Sequence, residues 1–550
     1  MKAGTRSGPA RRAVLRSDKV RLLTISFLIL FLELACIRWL SAYILYLGYF
    51  TNFVLLGALL GIGAGTLLSQ RPTRWVRWLP ALLYSLIVLV LVTRVQLDPT
   101  FEEVIYFTST ASLIRLPAWV LLPLVFISVC SIFTLLGQEL GRLLLTARPL
   151  QAYSLNILGS LGGIAAFTLM SVLSLPSWVW FLIAALAVVP FLPGGRSFRL
   201  NLAFLLGLVL AVAASDFAFR NLWSPYYRLG LAAMEQGQVV RVDPREGRPS
   251  ADRYVLVANG ASHQEFTSLP RSKLFYQLPY VAFEPPASYD EVLVVGAGGG
   301  NDLAAALAHG VAHVDAVEID PQIVALGRRF HPEHPYDDPR VTIHVDDARS
   351  FLEKTDRQYD LIVFALPDSL VLAPNLGGLR LESYLFTRES FQSVQQHLKP
   401  DGLFVLYNYF RYDWPFLYLR GPGLPAHYTA SLGLILAFSF LYLRRLSSRS
   451  LFGRENWPYF FMGAAFMLLE AKSIVQFLLL FGSTWLVNSL VFFGILLVVL
   501  LANGLAARFP FADLGPLYLL LAAIFYGLAF LSLTQTHRQG EGSAVSSGEG

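Results

Sequence analysis

The stretch Tyr289–Asp320, YDEVLVVGAGGGNDLAAALAHGVAHVDAVEID, decides the fold of the central part of this chain. Its run EVLVV is a continuous apolar strand of the kind that is buried on both faces of a parallel sheet. A glycine-rich turn, a short helix and a second apolar strand follow, and that strand ends at Glu318. The order of strand, glycine turn, helix, strand and acid predicts the opening βαβ unit of a nucleotide-binding fold.

The turn and the acids that follow it indicate which nucleotide is bound. Gly296, Gly298 and Gly300 permit a tight turn and close approach of the backbone to a ligand at a helix N-terminus. Glu318 stands where a carboxylate can accept both hydroxyls of a ribose. Asp347 follows a later strand, VTIHVDD, at a position where an acid can bind the adenine amino group. Because GAGGGND is not a clean GxGxxG, the pattern favours an adenosylmethionine-type nucleoside over a dinucleotide.

The composition of the whole chain is that of a membrane protein. Of its 550 residues 55% are hydrophobic and only 15% are charged, which lies outside the soluble globular class. Apolar stretches long enough to cross a bilayer recur on both sides of the nucleotide-binding stretch. The predicted spans are 22–45, 50–69, 78–97, 117–144, 154–175, 177–193, 200–219, 426–443, 458–481, 485–505 and 514–533.

These patterns predict a polytopic α-helical membrane protein that carries an inserted α/β Rossmann-like domain; that this is a class I methyltransferase domain preceded by a small β-hairpin domain is what a family resemblance implies. The tail is rich in Gly and Ser, lacks apolar periodicity and is expected to be disordered. The expected domains are an N-terminal membrane domain at 1–219, the β-hairpin domain at 220–288, the Rossmann-like domain at 289–420, a C-terminal membrane domain at 421–535 and the tail at 536–550.

Charge and cysteine content exclude several classes of partner. The net charge of +6 is concentrated in short loops beside apolar segments, which is the positive-inside bias and not a nucleic-acid-binding patch. Cys36 and Cys130 both lie in predicted spans, so neither a disulfide framework nor a cysteine-built zinc site is expected. His331 and His334 stand in the proline-broken loop HPEHPYDDP, for which we predict no metal.

The sequence gives conflicting indications of membrane topology. The basic N-terminus and the arginines at 71–77, 142–148, 196–199 and 444–454 all favour the cytoplasmic side. A literal count of the spans would then place the insert outside the cell. Adenosyl cofactors are made in the cytoplasm, and on that ground we expect a multi-pass protein of the cell (inner) membrane with a cytoplasmic-facing insert.

Two membrane segments resemble each other. Each places a glutamate early in a helix and a cation shortly after it, Glu33 with Arg38 and Glu470 with Lys472. An ionisable residue in a span is costly unless it is paired or lines a polar cavity. The pattern is therefore compatible with an ion pair inside each helix or with a transport role.

An ordered series of motifs in the insert resembles the spermidine/spermine synthase branch of class I adenosylmethionine-dependent transferases, and most closely the bacterial membrane-embedded spermidine-synthase-like proteins. The resemblance covers about Ser224–Phe410. The motifs are SPYY at 224, VANGASHQ at 257, VVGAGGGND at 294, VEID at 317, DDARSFL at 346, YDLIVFALPDS at 359 and ESYLFTRESF at 382.

The resemblance implies a role for each matching position. Gly296, Gly298 and Gly300 would contact the methionine-like part of S-adenosylmethionine or its decarboxylated form. Glu318 would bind the ribose. The other implied cofactor contacts are Asp347 and Ala348 beside the adenine, and Gln264 under a lid formed by the β-hairpin domain.

The sequence departs from the family where the family carries its acids. Gly299 and Ala365 occupy positions at which aminopropyltransferases carry Asp, and Asp368 is the acid that remains. An amine acceptor needs carboxylates and a base, whereas methyl transfer asks for little beyond positioning. We therefore predict transfer of a methyl or related alkyl group to a membrane-associated small-molecule acceptor, with Asp368 as base and Tyr384 and His263 as further catalytic candidates.

Two alternatives remain open on the sequence alone. The first is a polyamine aminopropyltransferase (spermidine synthase) with rearranged acids. The second is a sensor or transporter whose insert binds a nucleoside without chemistry, an interpretation favoured by the repeated glutamate-bearing segments. All three interpretations predict a lipid bilayer as partner and none predicts nucleic acid.

Overall fold

A computed structural model describes most of the chain. The described ranges are 9–44, 52–96, 114–235, 238–245, 253–269, 274–282, 288–365, 387–407, 426–446, 453–458 and 485–508, with single positions between and after them. Residues up to Leu497 form one compact unit and those from Val498 form a second.

Helices dominate both ends of the described chain. Seven of them are long and apolar enough to cross a membrane by length and composition, and the segments Phe53–Leu67 and Ser177–Phe191 are shorter apolar helices. The helices before the insert are α1 Pro9–Tyr43, α2 Asn52–Leu67, α3 Leu79–Val92, α4 Ala118–Leu144, α5 Pro149–Val172, α6 Ser177–Val188 and α7 Arg196–Ala218. Those within and after it are α8 Leu274–Val281, α9 Asn301–Ala308, α10 Pro321–Phe330, α11 Ala348–Lys354, α12 Arg388–His397, α13 Ala426–Leu446 and α14 Trp485–Arg508.

Two boundaries differ from the predicted spans. The span expected at 78–97 ends at Val92, because Thr93–Gln96 pairs as a strand, β1, with Ile114–Pro117, β2. The span expected at 177–193 is a short α-helix followed by a 3₁₀ turn that contains Pro190, whose ring cannot continue an α-helix. The predicted spans 458–481 and 514–533 lie largely outside the described residues.

Small residues bring the apolar helices together. A Cβ added to Gly159 would lie 2.5 Å from the carbonyl oxygen of Leu23, and one added to Gly163 would lie 2.5 Å from that of Phe27. Helices α1 and α5 therefore pack backbone to backbone, as glycines four residues apart allow.

Polar contacts mark one end of the helix bundle. Arg21 of α1 forms an ion pair of 2.9 Å with the buried Glu139 of α4. Arg142 of α4 donates to the carbonyl oxygen of Ser69 at 3.0 Å and to that of Thr73 at 2.9 Å. The arginine-bearing loop after α2 thus lies at the same end as the start of α1.

A second set of polar contacts marks the opposite end, where the insert begins. The Tyr43 hydroxyl and the Ser215 hydroxyl lie 2.9 Å apart. Asp216, at 2% exposure, accepts from the Ser177 hydroxyl at 2.7 Å and from the indole N–H of Trp223 at 3.0 Å. These bonds fix the first residues of the insert to the ends of α1, α6 and α7.

An antiparallel sheet comes first in the insert. Its strands run in the order β3-β4-β6-β7, and β5 pairs with β4. The β6 segment RYVLVA alternates between half-buried and buried positions, which is the period of a strand with one face on a core. The strands are β3 Leu222–Trp223, β4 Arg228–Glu235, β5 Gln238–Val242, β6 Arg253–Ala258 and β7 Ala261–Thr267.

A parallel five-stranded sheet follows, in the order β10-β9-β8-β11-β12. The order reverses between β8 and β11, which is the topological switch point where open α/β sheets bind ligands. This arrangement confirms the predicted Rossmann-like fold. The strands are β8 Glu291–Val295, β9 His313–Val317, β10 Val341–His344, β11 Tyr359–Ala365 and β12 Leu398–Tyr407.

Candidate functional site

The carboxyl ends of three neighbouring strands meet at one edge of the parallel sheet. Val295 of β8 pairs with Val317 of β9, which pairs with His344 of β10. The glycine turn follows the first of these strands, Glu318 the second and Asp347 the third. The predicted nucleoside-binding positions therefore lie side by side at the switch point.

The glycine turn and Glu318 are hydrogen-bonded to each other. Gly298 donates its N–H to Glu318 Oε2 at 2.9 Å, and Asp320 donates its N–H to Glu318 Oε1 at 3.0 Å. Gly296, Gly298 and Gly300 all have positive φ, a conformation that side chains rarely adopt. A carboxylate has about four acceptor positions, so two backbone bonds leave Glu318 with capacity for hydroxyl donors.

Strand β7 of the antiparallel sheet supplies two side chains that touch the turn. Gln264 accepts the Gly299 N–H at 2.7 Å through its side-chain oxygen. Phe266, which is fully buried, lies against the same glycine: a Cβ added to Gly299 would stand 2.0 Å from its ring. The hairpin domain is thus part of the wall around the turn, as the resemblance implied for Gln264.

Two buried acids lie next to the turn. Burial raises the pKa of Glu318 to about 7, and the neighbouring Asp320 charge adds to the rise while backbone N–H groups oppose it. Burial also raises the pKa of Asp320 to about 6, against the lowering effects of the Ser224 side chain and of Arg38. Such shifts are typical of functional sites, although structural networks produce them too.

The adenine-side positions belong to the start of α11. Asp347 is the N-cap of this helix and accepts the Ser350 N–H at 3.0 Å, which leaves its carboxylate at the edge of the site. Ala348 is the first residue of the helix and is buried against the sheet. Both lie where the sequence predicted them, and their contact with adenine stays a prediction.

Tyr226 of the SPYY motif feels the charges of the acids and was not assigned a role from the sequence. Its backbone N–H donates to the Ser224 hydroxyl at 3.1 Å, which turns the motif back on itself. The pKa of its phenol is raised by burial and then by the carboxylates around it, which are those of Asp320, Asp347, Glu318 and Asp346. The only sequence signal was its place in a motif.

His263 lies beside Tyr227 of the SPYY motif. Its ring lies 5.9 Å from that of Tyr227, and burial lowers its pKa to about 4, so that it is a neutral imidazole at neutral pH. A neutral histidine can accept a proton, and its ring contact places it at the SPYY motif. Its catalytic role stays a prediction.

A further buried acid follows the glycine turn. Asp302 accepts a hydrogen bond from the hydroxyl of Tyr407, and burial raises its pKa to about 8. Tyr407 is the register partner of Ala365, the position at which the resemblance would place a catalytic acid. Asp302 is therefore hydrogen-bonded to the residue that pairs with Ala365, the position at which the family carries an acid and this chain does not.

The other catalytic candidates, Asp368 and Tyr384, lie outside the described residues.

In the loop HPEHPYDDP, His331 accepts the Glu333 N–H on Nδ1 and bonds the Asn301 side chain through Nε2 at 3.1 Å. Among the described residues no group of three or more His, Cys, Asp or Glu side chains is placed to hold a metal ion.

Part of the insert is similar to known proteins. Residues 277–410 match the family described as the spermine/spermidine synthase domain. The chain is 34% identical over 122 residues to a polyamine aminopropyltransferase of Hamiltonella defensa, covering 22% of this chain and 39% of that one. It is 32% identical over 144 residues to polyamine aminopropyltransferase 1 of Streptomyces coelicolor, covering 25% of each chain. The chain therefore spans well under half the length of these curated relatives.

Two solved structures are similar at lower identity. One is a spermidine synthase in complex with the transition-state analogue AdoDATO, with a TM-score of 0.26, 18% identity and coverage of 40% of this chain and 64% of that one. The other is a probable spermidine synthase from Corynebacterium glutamicum, with a TM-score of 0.25, 20% identity and coverage of 34% and 62%.

Proposed function

We propose that this chain is a multi-pass membrane protein whose α/β domain binds decarboxylated S-adenosylmethionine and transfers its aminopropyl group to a small amine. Two observations support the proposal. The first is the buried Glu318, which is hydrogen-bonded to the glycine turn, and the second is the similarity to polyamine aminopropyltransferases. Those matches favour aminopropyl transfer over the methyl transfer expected from the sequence. The apolar helices support placement in the cell membrane, with a lipid bilayer as partner.

The observation that carries the proposal is the bonding of Glu318. Its two oxygens are held by the N–H groups of Gly298 and Asp320, so its orientation is fixed before a ligand arrives. A preoriented acceptor loses little entropy when it takes up the paired hydroxyls of a ribose. In this proposal Asp347 and the phenol of Tyr226, whose pKa is raised by burial and by the charges of acids that include Asp347 and Glu318, would flank the nucleoside.

The residues present suit an alkyl cofactor of this kind. When bound, it would supply a carbon bonded to a sulfonium, and an amine nitrogen aligned with that carbon would form a C–N bond as the C–S bond breaks and the neutral thioether leaves. The chain would contribute alignment, exclusion of water by the hairpin domain, and a proton acceptor for the amine. Asp368 is the acceptor that the sequence offers. Asp302 is a second acid, but with a pKa of about 8 it is mostly protonated at neutral pH and is the weaker proton acceptor.

A second candidate function is binding of the nucleoside without transfer, as in a sensor. The observation in its favour is the loss of acids at Gly299 and Ala365. At Gly299 the buried ring of Phe266 also fills the space that a side chain would need. In this case the cofactor half of the site would serve recognition alone.

Titration of the purified full chain in lipid nanodiscs tests both candidates. Decarboxylated S-adenosylmethionine is expected to bind more tightly than S-adenosylmethionine, and binding is expected to weaken in Glu318→Gln. The exposed Glu353→Gln variant is the matched control and should bind like wild type. Formation of an aminopropylated product from 1,4-diaminobutane supports transfer, whereas binding with no product from a panel of amines supports the second candidate. Failure of both ligands to bind contradicts both.

A further inference from the structure

Arg38 is a buried cation near the end of helix α1 that meets the insert. It is 7% exposed, and its guanidinium lies 4.9 Å from the ring centroid of Trp180 and 5.6 Å from that of Trp223. Its Nη1 donates to the Ser171 hydroxyl at 2.6 Å. Two aromatic faces and a hydroxyl therefore hold the cation in one orientation.

The second arm of the guanidinium reaches the insert. Its Nη2 donates to the backbone carbonyl of Ser224, the first residue of the SPYY motif. The hydroxyl of Ser224 in turn accepts the N–H groups of Tyr226 and Tyr227, at 3.1 and 2.8 Å. A side chain of the apolar bundle thus fixes the turn that places Tyr226 beside the acids of the cofactor site.

Arg38 also faces the acid that follows the ribose-binding position. Asp320 is fully buried, and the positive charge of Arg38 favours its ionised form. Asp320 caps helix α10 by accepting the Gln322 N–H at 2.9 Å, and its own N–H holds Glu318 at 3.0 Å. A buried carboxylate that loses its cation is strongly destabilised, so Asp320 would have to take up a proton or move.

The hydrogen bonds of Arg38 lead to residues outside its own helix. Glu33 lies on the same helix, but among the described residues the guanidinium donates to Ser171 and Ser224. The arginine is therefore directed out of its own helix and towards the insert. An arginine placed only to neutralise Glu33 would not need Ser224.

We propose that Arg38 is a positioning residue of the cofactor site, which fixes the SPYY turn and Asp320 so that Tyr226 and Glu318 face the nucleoside. This inference rests on the proposed function, since it concerns binding of the same adenosyl ligand. It makes the apolar bundle a component of the binding site as well as its anchor. The ligand itself does not touch Arg38.

Three variants of the full chain in nanodiscs test the inference, with the affinity for decarboxylated S-adenosylmethionine and the Tm measured on the same samples. Arg38→Met is expected to weaken binding by roughly tenfold to a hundredfold, as small misplacements in a site do. Arg38→Lys should recover part of the lost affinity, because lysine restores the positive charge but not the two-armed hydrogen bonding of the guanidinium. Arg21→Met is the matched control: it breaks an ion pair on the same helix at the other end, and should lower Tm with little change in affinity.

The outcomes separate the two proposals. If wild type binds no adenosyl ligand, the proposed function is wrong and the inference falls with it. If wild type binds and Arg38→Met and Arg38→Lys bind equally well, the inference alone is overturned. Asp320→Asn keeps the test decisive if Arg38→Met fails to fold. In an Arg38→Met background it should restore folding and part of the affinity, because it removes the charge that Arg38 balances. If neither folding nor affinity recovers, Arg38 does not act by balancing the charge of Asp320.

Discussion

The ring of Phe266 occupies the space in which a side chain at Gly299 would have to stand, with its Cε1 atom 2.0 Å from the position of a Cβ. We expect Gly299→Asp, which restores the acid of the aminopropyltransferases, to destabilise the chain by roughly 2–4 kcal/mol. Thermal unfolding measures the loss. Gly230→Asp is the control, since nothing lies within 4 Å of its Cβ. If Phe266→Ala added to Gly299→Asp leaves the loss unchanged, the explanation by crowding is wrong.

The pH dependence of ligand binding follows from the raised pKa of Glu318, about 7. Ribose hydroxyls donate to the ionised carboxylate, so the ligand favours the form that gains population as pH rises through that value. We expect the Kd to rise by about tenfold for each unit that the pH falls below the pKa, and to be constant well above the pKa. Titrations from about pH 5.5 to 8.5 give the profile, and Glu318→Gln should bind weakly with a much flatter one. A profile that is identical in wild type and variant would show that another group is responsible.

The stability of the α/β domain should also depend on pH through Asp302. Burial raises the pKa of this carboxyl to about 8, so the folded chain keeps a proton that the unfolded chain releases. Stability must then fall as pH rises from the ordinary carboxyl pKa to the raised one. Glu318 and Asp320 contribute with the same sign. We expect Asp302→Asn to reduce the decrease in Tm between about pH 6 and 9 without abolishing it. An unchanged or steeper decrease contradicts a buried neutral Asp302.

Much of this site could be predicted because its elements are local in sequence. The apolar strand, the glycine turn and Glu318 lie within one βαβ unit, in which spacing largely dictates geometry. Contacts between distant segments could not be predicted: Arg38 and Ser224 are 186 residues apart. The sequence of a helix does not indicate with which distant segment the side chain of its arginine forms hydrogen bonds. Asp368 and Tyr384, predicted from the motifs, still require a test by mutation.

The close packing of α1 and α5 gives a prediction with a built-in control. A Cβ at Gly163 would meet the Phe27 carbonyl oxygen at 2.5 Å, whereas one at Gly162 would meet only the Phe27 ring at 3.6 Å. We expect Gly163→Ala to lower stability by roughly 1–3 kcal/mol and Gly162→Ala to be nearly neutral. Thermal unfolding in the same detergent compares them. Equal losses would mean that the contact at Gly163 does not set the effect, since helix propensity alone favours alanine at both positions.

The two ends of the helix bundle predict which side of the membrane the insert faces. The Arg21 and Arg142 contacts lie at one end with the loop 71–77, and the Tyr43 and Asp216 contacts lie at the other with the insert. Short basic loops stay in the cytoplasm. We therefore expect the insert on the outer side, against the argument from cofactor supply.

Labelling of intact cells with a membrane-impermeant maleimide decides between these sides. Glu353→Cys in the insert should react without lysis, and Arg74→Cys only after it. Cys36 and Cys130 are buried, which keeps the background low. The reverse pattern would support the cytoplasmic placement. Labelling of Glu353→Cys from outside would require the adenosyl ligand to be supplied on that side.

The position of Gln264 and Phe266 has a practical consequence for dividing this chain into pieces. The stretch that matches the synthase family begins at residue 277, after both side chains that line the glycine turn. A fragment cut to that match would expose the turn and lose the partner of the Gly299 N–H. A fragment that keeps both side chains and the SPYY motif has to begin before Ser224. Such a fragment would still lack Arg38, which donates a hydrogen bond to the Ser224 carbonyl.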